Sequence, residues 1–204
     1  MKKAAALLIV DVQNDFCPDG ALAVPGGDRV VEPLSRVAES FAAAGLPVVA
    51  SRDWHPPVTR HFNGFGGVWP PHCVQDTPGA AFHPDLRLPE GTLVISKGSD
   101  PDSDSYSAFD GRDPDGKQLV DILAALHVRH LYVGGLASDY CVRSSALDAR
   151  KAGLEVMVLV DAIAGVDVAA GDSEKALEEM GRAGVTFCTA NEAARQVADC
   201  PGQS

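Results

Sequence analysis

Six short runs of apolar and β-branched residues recur along the chain, and they restrict its fold more than any other feature. The runs are nearly continuous rather than alternating, which is typical of strands that are covered on both faces. They span residues 5–12, 47–53, 92–97, 130–135, 155–161 and 185–189.

Helical patterns separate most of these runs. One pattern ends in Gly45, which suits a helix C-cap, and another places Leu119, Ile122, Leu123 and Leu126 on one face. Strands alternating with helices favour a single domain over residues 1–204. We therefore predict an α/β fold: one doubly wound, mostly parallel six-stranded sheet with helices on both faces.

Charge and hydropathy exclude several classes of function. With 17 Lys and Arg against 28 Asp and Glu, the net charge is −11, which disfavours nucleic acids and anionic membranes as partners. No apolar stretch approaches the roughly 20 residues of a membrane span. The first apolar run meets Asp11 without a clear cleavage site, so it predicts a buried strand rather than a signal peptide. Five scattered cysteines then indicate reduced thiols in the cytoplasm.

Chemically useful side chains follow the first four runs. Asp11, Asp53 and Lys97 end the first three, and the fourth leads through small residues to Cys141. Sites in open parallel sheets lie beyond the carboxyl ends of the strands, so we expect these four side chains to meet.

Cys141 lies at the start of a predicted helix, where the helix dipole and a nearby lysine lower the pKa of a thiol. Asp11 could then move the thiol proton. The small residues 134–138 allow a substrate to approach the backbone, whose N–H groups could form an oxyanion hole. The sequence therefore predicts an activated cysteine nucleophile.

Residues 53–72 concentrate potential metal ligands, namely Asp53, His55, His61 and His72. Imidazole and carboxylate suit zinc, iron or manganese. Cys73 is an alternative ligand. All of this segment except Asp53 lies in residues 54–91, one of two long interruptions of the alternating pattern; the other is 98–116. Loops of this length are usually functional or disordered.

Together, the motifs of this chain resemble the nicotinamidase branch of the isochorismatase-like cysteine hydrolase superfamily, over about residues 5–190. They are "VDVQNDFCPDGALAVPGGD", "SRDWHPP", "WPPHCVQDTPGAAFHPDL", "SKG", "YSAF" and "VGGLASDYCVRSSALDA".

The resemblance implies a catalytic triad of Asp11, Lys97 and Cys141. It also implies an oxyanion hole formed by the backbone N–H groups of Ala137 and Cys141, with a cis peptide bond between Leu136 and Ala137.

The resemblance further implies one divalent metal ion, with zinc the first expectation and iron or manganese the alternatives. Asp53, His55 and His72 match ligands of the family, and His61 matches a fourth ligand that some members have.

Phe16 and Trp69 match the aromatic walls of a pyridine pocket. Tyr106 is placed there too, although the loop before it varies in length among relatives.

The activity implied is hydrolysis of nicotinamide to nicotinic acid and ammonia through a thioester on Cys141, in NAD salvage, with pyrazinamide as a second substrate. The metal would hold the pyridine nitrogen. Two alternatives stay open: another amidase of the superfamily acting on ureido or N-carbamoyl compounds, and a non-catalytic, metal-stabilised ligand-binding domain. A homo-oligomer is possible under the nicotinamidase hypothesis and under both alternatives.

Overall fold

A six-stranded sheet organises the fold in the computed structural model, which describes residues 5–198. The strands are β1 (Ala5–Val10), β2 (Val48–Asp53), β3 (Leu93–Lys97), β4 (His130–Leu136), β5 (Glu155–Ala164) and β6 (Thr186–Cys188). All neighbouring strands are parallel, in the order β3-β2-β1-β4-β5-β6. The order reverses between β1 and β4, where doubly wound sheets bind their ligands. The predicted fold class is confirmed.

Within residues 5–198, one α-helix follows each strand except β2, and these helices are α1 (Val31–Ala43), α2 (Leu119–Ala125), α3 (Arg143–Lys151), α4 (Asp172–Arg182) and α5 (Ala190–Ala198). Helices α1 and α5 contribute to one hydrophobic cluster, and α2, α3 and α4 contribute to another. The packing of both faces of β1 explains why its sequence is continuously apolar. Leu7 and Ile9 enter the first cluster, and Leu8 and Val10 enter the second.

Helix α1 ends as its sequence predicts. Gly45 has a φ of 67°, and the N–H groups of Gly45 and Leu46 donate to the carbonyls of Ala42 and Phe41. These two hydrogen bonds satisfy carbonyls that the helix end would otherwise leave without donors.

The predicted apolar face of α2 is only partly correct. Leu119 and Leu123 are buried, but Leu126 is 46% exposed. The reason is that α2 ends at Ala125 and Leu126 is already its C-cap.

The four cysteines among the described residues, Cys17, Cys73, Cys141 and Cys188, are free thiols, and Cys200 lies outside the described range. Within residues 5–198, none of the helices has the length and apolar character needed to span a bilayer.

Candidate active site and metal centre

The carboxyl ends of four adjacent strands bring the predicted catalytic side chains together. Asp11 follows β1, Asp53 ends β2, Lys97 ends β3, and Cys141 lies in the turn after β4. The carboxylates of Asp11 and Asp53 and the sulfur of Cys141 lie within 4.8 Å of one another, all buried. The convergence expected from the sequence is therefore present.

Lys97 lies at the centre of this group and is only 1% exposed. Its Nζ is 2.9 Å from Oδ2 of Asp11 and 3.4 Å from Sγ of Cys141, and it also donates a hydrogen bond to Oδ1 of Asp53. Burial alone would lower the pKa of Lys97, but the surrounding anionic groups raise it well above its ordinary value. The side chain is therefore a fixed positive charge in a buried site.

Asp11 is fully buried, and the hydroxyl of Ser51 donates to its Oδ1 at 2.7 Å. Burial raises the pKa of Asp11, and the neighbouring Asp53 adds to this, whereas Lys97 and Ser51 oppose it. A carboxyl group whose pKa is shifted toward neutrality can both accept and return a proton near pH 7.

The pKa expected for Cys141 was wrong. Burial raises the pKa of the thiol well above its ordinary value, Lys97 only partly counteracts this, and Asp11 adds to the rise. Cys141 also belongs to a π-helical turn, Ser138–Val142, that precedes α3, rather than to the first turn of the α-helix. Its proton therefore stays on the sulfur until a neighbouring base removes it.

Three histidines form a second cluster, in which the ring nitrogens of His55, His61 and His72 lie within 4.8 Å of one another. In each ring Nδ1 donates to an oxygen: Gly98 O at 3.0 Å for His55, Asp104 Oδ1 at 2.8 Å for His61 and Pro70 O at 2.8 Å for His72. This arrangement leaves the Nε2 lone pair of each imidazole available to a metal.

The donor set fits a divalent metal ion. Nε2 of His55 is buried without a hydrogen-bond partner among residues 5–198. Oδ2 of Asp53 lies 3.7 Å from Nε2 of His55 and 4.0 Å from Nε2 of His72. A buried acceptor with no donor is costly, and a cation would satisfy it. Cys73, the alternative ligand, packs instead in the apolar cluster with α1.

Protonation states also suit a metal. Burial alone would raise the pKa of Asp53, but Lys97 and the rings of His55 and His72 hold it well below its usual range. Burial lowers the pKa of His72 to about 4, and burial also lowers that of His61. The carboxylate of Asp53 is therefore ionised and the imidazoles of His61 and His72 are neutral near pH 7, as metal ligation requires.

A small pocket joins the two clusters. Asp53, His61 and His72 line one part of it, and Ala137 and Cys141 line another. The peptide bond between Leu136 and Ala137 is cis, as the resemblance implies.

Aromatic side chains form the pocket walls, and all three predicted substrate-binding residues, Phe16, Trp69 and Tyr106, are among them. Nε1 of Trp69 donates to the hydroxyl of Tyr106 at 3.0 Å, and this hydrogen bond connects two walls of the pocket. Tyr140, which sequence reasoning missed, packs edge-on against Trp69 with ring centroids 5.1 Å apart.

Three further polar residues were missed. Gln13 brackets Asp53, accepting from its N–H and donating to its carbonyl, both at 2.8 Å. Ser51 contacts Asp11, and Asp104 contacts His61. For Ser51 a signal existed, because it lies two residues before Asp53 and so shares its face of β2.

Comparisons of the sequence and the structure with known proteins point to the same family of hydrolases. The family described as "Isochorismatase domain" matches residues 5–192. The nicotinamidase of Escherichia coli K12 is 42% identical over 90% of this chain and 94% of its own. The nicotinamidase/pyrazinamidase of Mycobacterium tuberculosis H37Rv is 44% identical over 88% and 96%. The structure of Pyrococcus horikoshii pyrazinamidase in complex with zinc has a TM-score of 0.84 at 44% identity, covering 91% of this chain and 99% of that one.

Proposed function

The chain belongs to the isochorismatase family, and from this premise we propose that it is a nicotinamidase. It hydrolyses nicotinamide to nicotinic acid and ammonia in NAD salvage, and it also accepts pyrazinamide. The observation that carries the proposal is one small pocket that is lined both by the buried Cys141 and by His61 and His72 of the imidazole cluster.

The roles of the site residues follow from their contacts. Asp11 takes the proton from the thiol of Cys141, and the sulfur attacks the carboxamide carbon. Lys97, 3.4 Å from that sulfur, stabilises the negative charge as it develops. The backbone N–H groups of Ala137 and Cys141 bind the oxyanion.

Protonated Asp11 then returns its proton to the departing amine. The C–N bond breaks, ammonia is released, and a thioester remains on Cys141. A water molecule attacks the thioester while Asp11 accepts its proton. Nicotinic acid leaves as the C–S bond breaks, and the thiol is restored. Acid–base assistance in both half-reactions explains why Asp11 needs a pKa above its ordinary value.

Asp53, His55, His61 and His72 would hold one divalent metal ion, zinc first and iron or manganese as alternatives. When bound, the metal supplies a Lewis acid for the ring nitrogen of the substrate. Phe16, Trp69 and Tyr106 enclose the ring and exclude water. An amidase for ureido or N-carbamoyl compounds would use the same triad but would not need the imidazole cluster.

We further propose that the protein works in the cytoplasm. Free thiols at the four described cysteines support this location. A net charge of −11 supports a small molecule, rather than a nucleic acid, as its partner.

The experiment is ammonia release from nicotinamide by purified protein, combined with elemental analysis. We expect turnover with close to one equivalent of metal, loss of turnover after chelation, and recovery when metal is returned. Turnover of an N-carbamoyl compound but not of nicotinamide would overturn the proposal.

A further inference from the structure

The loop that follows β3 supplies the hydrogen-bond acceptors for two of the three clustered histidines. The carbonyl of Gly98 accepts from Nδ1 of His55, and the carboxylate of Asp104 accepts from Nδ1 of His61. His72, by contrast, donates to Pro70 in its own segment. Residues 98–104, which we call the acceptor loop, therefore orient most of the imidazole cluster although they hold none of its ligands.

Asp104 differs from the other two acceptors because it is a side-chain carboxylate rather than a backbone carbonyl. Its side chain is 59% exposed, whereas that of His61 is 4% exposed. The contact thus links a solvent-facing anion to a buried ring at 2.8 Å. A carboxylate partner fixes the tautomer of a ligating imidazole and raises its basicity.

Backbone contacts hold the acceptor loop against the segment that carries His61. The carbonyl of Pro101 accepts from the N–H of Arg60 at 2.9 Å and from the hydroxyl of Thr59 at 3.2 Å. The guanidinium of Arg60 donates to the carbonyl of Asp102 at 3.1 Å. The same Thr59 hydroxyl accepts from the N–H of His61 at 3.2 Å. These hydrogen bonds hold residues 101 and 102 beside Thr59 and Arg60, which keeps the backbone of the acceptor loop next to His61.

We propose that Asp104 is a positioning residue of the metal centre: it holds His61 with Nε2 toward the cluster, which makes His61 a ligand, and it couples the acceptor loop to metal occupancy. This inference rests on the metal site of the proposed function, but not on the substrate or the reaction. The coupling is reciprocal, because a contact that strengthens metal binding is itself strengthened when the metal binds.

The test is zinc affinity of the full-length protein, measured by competition with a chromophoric chelator after metal removal. Asp104→Asn keeps the shape of the side chain but replaces the carboxylate, and we expect zinc to bind about 10- to 100-fold more weakly. Asp102→Asn is the matched control: it removes the same charge from the same loop, but Asp102 contacts Arg60 through its backbone carbonyl. Its affinity should match that of the wild type. Asp104→Glu should recover part of the loss.

A double-mutant cycle assigns the effect to His61. In a His61→Ala background, Asp104→Asn should cause no further loss of affinity, because the group through which it acts is gone. The cobalt-substituted protein gives a second readout, since its visible absorption reports coordination, and we expect it to change in Asp104→Asn but not in Asp102→Asn.

Wild-type affinity in Asp104→Asn, equal losses in Asp104→Asn and Asp102→Asn, or an undiminished loss in the His61→Ala background would each overturn the inference while leaving the proposed function intact. Failure of the wild-type protein to bind zinc would instead overturn the metal centre, and this inference with it.

Discussion

The ammonium nitrogen of Lys97 lies 3.4 Å from the sulfur of Cys141, and the same ammonium pairs with two buried carboxylates, Asp11 and Asp53. One buried cation therefore contacts two carboxylates and the thiol of Cys141. Because all four groups are buried, we expect Lys97 to stabilise the fold in addition to its proposed part in the reaction.

Lys97→Met should destabilise the fold as well as abolish turnover. It leaves the carboxylates of Asp11 and Asp53 buried without their cation, and removing one partner of a buried ion pair costs about 3–5 kcal/mol. Urea unfolding of the metal-free protein measures this. Lys117→Met is the control, since Lys117 is exposed and its nearest carboxylate, on Asp115, is 3.9 Å away.

Adding Asp11→Asn to Lys97→Met should restore part of the lost stability, because it removes one of the two uncompensated charges. Equal stability of Lys97→Met and Lys117→Met would show that the buried charges are compensated in another way.

Cys141→Ala should abolish turnover while leaving the fold and metal content unchanged, because the nucleophile is removed and the histidine cluster is untouched. Mass spectrometry of the wild-type protein during turnover should detect a nicotinoyl adduct on Cys141. More than trace activity in the alanine variant would contradict the covalent mechanism.

The sequence was sufficient to predict the fold and the meeting of Asp11, Asp53, Lys97 and Cys141 at one edge of the sheet, for one reason. Strands covered on both faces are apolar throughout, so their ends are sharply marked, and Asp11, Asp53 and Lys97 stand at those ends. The parallel order then brings ends that are far apart in sequence to one edge.

The sequence could not predict hydrogen bonds and pKa shifts that depend on residues far apart in the chain. The carboxylate of Asp104 matters because the acceptor loop lies against Thr59 and Arg60, and no local pattern encodes that contact. The pKa of Cys141 was predicted in the wrong direction for a similar reason: the lysine was visible in the sequence, but the extent of burial was not.

Gly98→Ala should weaken metal binding and turnover. Gly98 has a φ of 71°, and a Cβ there would lie 2.5 Å from Cε1 of His55, so the ring would have to move. Gly91→Ala is a matched control, because Gly91 has a φ of 80° but no atom within 4 Å of an added Cβ.

Both alanines carry a similar backbone cost for positive φ, about 1 kcal/mol. The difference between the two variants therefore isolates the contact with His55. Zinc affinity by chelator competition and nicotinamide turnover should fall in Gly98→Ala alone. Parallel losses in both variants would assign the effect to backbone strain instead.

The ring nitrogen of the substrate should decide which amides the site accepts. A thiol, a base and an oxyanion hole can hydrolyse an amide without a metal, so the imidazole cluster must act on another part of the molecule. Benzamide has nearly the shape of nicotinamide but lacks the ring nitrogen, and sites built around one polar atom reject analogues that lack it. We expect kcat/KM for nicotinamide to exceed that for benzamide by at least about 10³.

Binding to the inactive Cys141→Ala protein separates this preference from the chemistry. Calorimetry should show that nicotinamide and pyrazinamide bind the metal-loaded variant far more tightly than benzamide does. After chelation, or in a variant that also carries His72→Ala, the three ligands should bind with similar affinity, because only the aromatic walls of Phe16, Trp69 and Tyr106 remain to hold them. Removing the metal should therefore cost nicotinamide much affinity and benzamide little. Equal affinities in the metal-loaded protein would mean that the cluster does not hold the ring, and an amide substrate without a pyridine would then explain the site better.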